Sequence, residues 1–142
     1  DPTATGTSLK VAGKIESTSA EVTGPVNGIT QYTKSYGSLD TTGQAVAGLL
    51  SSSNGASGMF VFETGGGGEG GYQKVVYNCI NVSGTWNAYK DIDEGGNKFD
   101  VVASANGSTI TFTFKARSAT QYYTPRVIVK AIGGSIINTS YI

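Results

Sequence analysis

Five acids, one cysteine and a handful of aromatic side chains are the residues of this chain whose chemistry reaches beyond packing. Two carboxylates, one held protonated and one ionised, can cleave a glycosidic bond, and Glu63, Glu69, Asp91, Asp93 and Glu94 form the available pool. Most of that pool stands in glycine-rich stretches with no visible means of raising one pKa above another. Asp91-Ile-Asp93-Glu94-Gly95-Gly96-Asn97 also invites a calcium reading, but the fifth position is Gly95 and the twelfth, where a bidentate Glu belongs, is Val102. The turn preferences of Asp, Gly and Asn predict instead a hairpin tip between strands at Trp86–Ile92 and Lys98–Ser104, with a weak cation site left open. The sequence has 0 histidines, which removes the commonest general base and metal ligand together with any Ser-His-Asp or Cys-His arrangement. Cys79, the single cysteine, is expected to pack as a small apolar residue.

Glycine supplies a second set of candidate motifs. Gly66-x-Gly68-x-x-Gly71 has the spacing of a dinucleotide fingerprint, and Asp91 follows about twenty residues later, where a ribose-binding acid would stand. That fingerprint must open a helix, whereas Tyr72-Gln-Lys-Val-Val-Tyr77 has the composition of a strand, so no helix N-terminus is offered to a pyrophosphate. No Lys-Ser or Lys-Thr follows the glycines, so a P-loop is excluded as well. No cofactor or metal is therefore expected. Asn81-Val-Ser83, Asn106-Gly-Ser108 and Asn138-Thr-Ser140 match the glycosylation triplet, a pattern that chance produces readily in a chain this rich in Asn, Ser and Thr.

Flat amphipathic rings offer a different chemistry. Tyr72, Trp86, Tyr89, Tyr122 and Tyr123 fall near predicted strand ends and loops, where a ring can stack on a sugar face or anchor a protein partner. The structural alternative for each is an ordinary half-buried sandwich residue. Arg126, which follows Pro125 and opens an apolar run, either pairs with a neighbouring subunit or caps the sheet edge. These six residues are the candidate ligand or receptor contacts.

The elements that must position them are strands. In Thr109-Ile-Thr-Phe-Thr-Phe-Lys115 the apolar residues Ile110, Phe112 and Phe114 share one face and the threonines the other. Asn106-Gly107-Ser108 joins this strand to Lys98–Ser104 as a tight hairpin. Further strands are expected at Leu9–Ile15, Ile29–Tyr36, Met59–Glu63, Tyr72–Val82, Trp86–Ile92, Arg126–Ile132 and Ser135–Ile142. Gln44–Leu50 fits one or two helical turns or a strand interrupted by Gly48, and is read as a strand. The loops Ser51–Gly58 and Thr64–Gly71 supply either positive φ and close chain approach or flexible connection. About nine short strands without a convincing helix predict an all-β antiparallel sandwich or jelly roll.

Bulk composition narrows the partners. The 142 residues suit one domain with a single core, read as a leader from a stem over residues 1–8 and one β-sandwich over residues 9–142. Lys plus Arg and Asp plus Glu number 10 each, so no net field steers a polyanion, and nucleic acid is not an expected partner. No apolar run approaches the ~20 residues that span a bilayer, and Asp-Pro-Thr-Ala-Thr-Gly at the start lacks a signal-peptide pattern. One cysteine permits no internal disulfide, so core packing or partner chains must hold the domain together.

In its Thr- and Gly-rich leader Asp1–Ser8, in the strands Gly58-Met-Phe-Val-Phe-Glu63 and Thr109–Lys115, and in the ending from Thr124-Pro-Arg-Val-Ile-Val-Lys-Ala-Ile-Gly133 to Ile142, the chain resembles the C-terminal knob of a bacteriophage tail needle or tail fibre. Podovirus tail-needle knobs are the nearest type. The resemblance is diffuse, spans the chain and carries no diagnostic motif, so no family residue is transferred individually. It implies a tumour-necrosis-factor-like jelly roll, a homotrimer on a stem, and a place at the distal end of a virion tail, where a non-enzymatic knob contacts host-surface glycan or protein during attachment and genome ejection. The alternatives are a monomeric carbohydrate-binding or lectin-like domain and a small polysaccharide hydrolase.

Overall fold

Strict alternation along Thr109–Ala116 sets the pattern that the rest of the fold repeats: Ile110, Phe112, Phe114 and Ala116 are buried while the threonines and Lys115 between them are half-exposed. The computed structural model describes residues 29–50, 53–64, 72–96, 98–118, 122–123 and 125–132. The leader Asp1–Ser8, the expected strands Leu9–Ile15 and Ser135–Ile142, and residues 65–71 with their glycine motif lie outside the described residues. Among the described residues there are ten strands: β1 Ile29–Ser35, β2 Ser38–Leu39, β3 Gln44–Leu50, β4 Ser57–Thr64, β5 Gln73–Val82, β6 Thr85–Gly95, β7 Phe99–Asn106, β8 Thr109–Ala116, β9 Tyr122–Tyr123 and β10 Arg126–Ile132. No helix occurs among the described residues, and Gln44–Leu50 is a strand.

All pairings are antiparallel. A five-stranded sheet runs in the order β1-β10-β4-β5-β6, a three-stranded sheet in the order β3-β8-β7, and β2 pairs with β9. The two larger sheets pack as a sandwich whose core draws Phe60 and Phe62 from β4, Val75, Tyr77 and Cys79 from β5, Val127, Val129 and Ala131 from β10, and Val46, Leu49, Val101, Ile110, Phe112 and Phe114 from the opposite layer. Phe112 is the joint. Its ring lies 4.6 Å from Phe60, 5.3 Å from Phe62 and 5.2 Å from Tyr77, in the tilted arrangements that aromatic quadrupoles favour.

The hairpins follow from their turn residues. Ser83 and Gly84 both take positive φ, 52° and 86°, the signature of a two-residue primed turn between β5 and β6. Side chains steady it: Ser83 N donates to Asn54 Oδ1 and Gly84 N to Asn81 Oδ1, each at 2.9 Å. Asn81 is 0% exposed, so the first glycosylation triplet is a turn support and not an acceptor site in the folded chain. The β7–β8 hairpin turns at Gly107-Ser108, as expected.

One expected hairpin does not form. The acidic segment Asp91–Asn97 was read as the tip between Trp86–Ile92 and Lys98–Ser104, yet β6 runs on to Gly95 against β5, and β7 belongs to the other sheet. A bulge at Val76/Tyr77 inserts Asp91 into β6 and lets the strand continue. The chain then crosses layers at Gly95, whose φ of 131° and close approach to Tyr72 O and Gln73 Cα leave no room for a Cβ. Gly96 N donates to Tyr72 O at 2.6 Å and fixes the departure.

Two substitutions test this packing by urea unfolding. Phe112→Ala is expected to cost about 3–5 kcal/mol, because it empties the joint between the layers. Gly95→Ala is expected to cost at least ~1–2 kcal/mol from the positive φ alone, with the clash on Tyr72 added; a loss below ~0.5 kcal/mol for either would contradict the account.

Candidate functional site

The unequal sheets leave a seam where edge strand β6 of the five-stranded sheet passes edge strand β7 of the three-stranded one. At one end the layers are tied by Trp86, whose backbone N–H donates to Gly107 O at 3.3 Å and whose indole Nε1 donates to Ser108 O at 3.0 Å. In the middle the Tyr77 hydroxyl donates to Val101 O at 2.7 Å and receives a backbone hydrogen bond from Ala103. Burial raises the Tyr77 pKa, so the phenol stays a neutral donor. Between these ties the small side chains Ala88, Ala103 and Ala105 leave an open groove of about 410 Å³, bordered by Asn87 and Lys90. That volume is at the low end of small-ligand sites.

The far end of the seam is ionic. Lys90 Nζ donates to Asp100 Oδ1 at 2.6 Å and Asp93 Oδ2 at 3.2 Å. Arg117 Nη2 grips both Asp93 oxygens at 2.5 and 2.6 Å, its Nε donates to Phe99 O at 2.6 Å, and Gln73 Nε2 adds a bond to Asp93 at 2.6 Å. Partial burial alone would raise the Asp93 pKa, but the hydrogen bonds and charges of Arg117 and Lys90 outweigh it and hold the carboxyl below its ordinary 3.8. Partial burial likewise works to lower Lys90, and the bonds to Asp100 and Asp93 overcome it and lift the ammonium above its ordinary 10.5.

This geometry decides what the acid pool can do. Asp93 is held ionised by two cations, the opposite of a proton donor. Glu63 accepts from Lys130 at 2.9 Å and Asp91 from Asn78 at 3.5 Å, on the outer side of the sheet. Asp91 and Asp93 thus turn to different partners, and among the described residues no three His, Cys, Asp or Glu side chains converge on a metal position. Glu69 lies outside the described residues. Cys79 is buried and its thiol is pushed up to about 12 by desolvation, which suits packing and not nucleophilic attack.

The six candidate contacts separate. Trp86 is 2% exposed: its ring packs in the core, its indole N–H donates to Ser108 O, and it closes one end of the groove. Tyr89, 61% exposed, stands opposite Asn78 on β6 and projects from the outer face of the five-stranded sheet, the side away from the groove residues Ala88 and Lys90. Tyr72, 57% exposed, sits at the opposite end of the sheet beside Gly96, and Arg126 opens β10 exposed at that same end. Tyr122 and Tyr123 form strand β9, and their side chains lie outside the described residues. The groove itself had no signal in the sequence, because its lining comes from separate strands and from alanines.

No protein-family model matches the chain. No curated protein matches it in sequence. Among solved structures it is similar to the tailspike protein gp49 from Acinetobacter baumannii bacteriophage Fri1, a capsular polysaccharide depolymerase, at 17% identity and a TM-score of 0.38 over 80% of this chain. The chain spans 19% of that protein's length.

The ionic cluster gives a pH signature. Asp93 ionises more readily folded than unfolded, so its stabilisation is complete above 3.8 and is lost as pH falls through the lower folded value. Lys90 acts in the other direction, its contribution being present below 10.5 and lost as pH rises through the higher folded value. Asp93→Asn is therefore expected to lower stability at neutral pH by about 1 kcal/mol and to flatten the fall in melting temperature between about pH 4 and pH 2. A wild-type and variant that lose stability in parallel there would refute the role given to Asp93.

Proposed function

We propose that this chain is a non-enzymatic attachment knob at the distal end of a virion tail needle or fibre, a tumour-necrosis-factor-like homotrimer that contacts host-surface glycan or protein during attachment and genome ejection. The observation that carries the binding part is edge strand β6, where Asn87 and Lys90 border the open β6–β7 groove and the exposed ring of Tyr89 projects from the outer face of the same strand. A ring with one polar end beside hydrogen-bonding groups is the usual equipment for holding a sugar face or a loop. The acids support binding over hydrolysis, since Asp93 and Asp100 are joined through Lys90 and Arg117 and Glu63 is tied to Lys130. The viral setting rests on the resemblance of the leader, strands and C-terminal run to tail knobs.

An array of bacterial surface polysaccharides and outer-envelope fragments tests the reading. Wild-type protein is expected to bind a subset, and Tyr89→Ala to weaken that binding by at least about tenfold, about 1.4 kcal/mol. Tyr72→Ala, at the opposite end of the sheet, is expected to leave it unchanged. Binding that survives Tyr89→Ala and Asn87→Ala together would place the contact elsewhere.

A further inference from the structure

Three Asn-Gly pairs occur in the sequence, at Asn27, Asn54 and Asn106. An asparagine before glycine carries a latent main-chain reaction, because glycine has no Cβ to screen its amide nitrogen from the side chain before it. Hydrogen bonds decide which pair can react. At Asn54-Gly55 both groups are engaged: Asn54 Oδ1 accepts from Ser83 N at 2.9 Å, and Gly55 N donates to Asn81 O at 2.8 Å. At Asn106-Gly107 neither is. Asn106 is exposed with no side-chain hydrogen bond among the described residues, and Gly107, the first turn residue after β7 with φ 56°, donates its N–H to no acceptor there. A Cβ added at Gly107 would meet nothing within 4 Å, so the turn stands in open space. Asn27-Gly28 lies outside the described residues.

From this contrast we infer that Asn106 is a self-modification site, where the chain converts to isoaspartate and thereby loosens one end of the β6–β7 groove. Hydroxide takes the Gly107 N–H proton, the nitrogen bonds to Asn106 Cγ, and the Cγ–Nδ2 bond breaks as Nδ2 takes a proton from water and leaves as ammonia. A five-membered imide remains. Water then opens it: cleavage between the Asn106 carbonyl carbon and Gly107 N leaves Gly107 joined through Cγ, with a free α-carboxylate, while cleavage at Cγ leaves ordinary aspartate. The isoaspartate form adds one methylene to the main chain. That addition falls inside the Asn106–Thr109 turn, whose Gly107 O and Ser108 O accept from Trp86 N at 3.3 Å and Trp86 Nε1 at 3.0 Å. Both acceptors move, and the tie at the Trp86 end opens. The chemistry belongs to the turn itself and does not depend on what the groove binds.

Ageing the full chain in warm, mildly alkaline buffer, followed by tryptic mapping and mass spectrometry, provides the test. Cleavage after lysine isolates Asn106 in peptide 99–115 and Asn54 in peptide 35–74, neither of which holds a second asparagine. Conversion of amide to acid is expected in 99–115, faster as pH rises, and at least about tenfold slower in 35–74, where two hydrogen bonds must open first. In urea the two peptides are expected to convert alike. Trp86 is the single tryptophan, so its fluorescence reports the tie. The emission is expected to shift to the red as isoaspartate accumulates. It is expected to hold in Asn106→Ser aged alongside, and in fresh Asn106→Asp, which has the acid without the added methylene. A folded chain whose 99–115 converts no faster than 35–74, or converts only in urea, overturns the site. Isoaspartate at position 106 with unshifted Trp86 emission overturns the loosening of the groove.

Discussion

Closure of two sheets of unequal width over one layer of aromatic rings is the constraint from which the other features follow. Phe112, on the middle strand of the three-stranded sheet, reaches Phe60, Phe62 and Tyr77 on β4 and β5, so the narrow sheet sits over the wide one. Ring contacts of this kind add to area burial by ~0.5–1.5 kcal/mol each, and they fix the layers face to face. Three strands cannot finish what five begin. The remainder is an open seam along β6.

The seam spends the chain's charged residues on structure. Lys90, Asp93, Asp100 and Arg117 come from β6, β7 and the residue after β8, and their bonds link the two layers where no backbone ladder does. Each pair is partly solvated and contributes modestly on its own; the contact of Arg117 Nη2 with both Asp93 oxygens and the Gln73 bond make the network more than a set of surface pairs. With Asp93 and Asp100 paired to cations, the groove between the ionic end and the Trp86 end offers hydrogen-bonding groups and space.

The sandwich was legible where period-two alternation is a direct readout of burial: Thr109–Lys115 could face a core in only one way. Gln44–Leu50 was harder, since its bulge at Ala45/Ala47 breaks the alternation and buries consecutive residues. The two-residue strands β2 and β9 are too short to have any period. Turn residues at Asp91–Asn97 announced a change of direction but not which strands it joined, and a layer crossing looks the same as a hairpin in one dimension. An indole near a turn serves a ligand or a core equally well by type, and only the register of Trp86 opposite Asn81 turns it inward. Tyr89, three residues on, has the other parity and emerges exposed. The groove depends on Ala88, Ala103 and Ala105, whose importance is that they are small, a property no motif records.

A domain that contacts a surface without altering it should retain its ligand intact. The most direct measurement incubates the full chain with each polysaccharide it binds on the array and follows both bound protein and newly formed reducing ends over hours. The account predicts saturable binding with reducing ends no higher than in the protein-free control. A steady release of reducing ends that scales with protein concentration, and that falls when Asp93 or Asp100 is replaced by Asn, would contradict it.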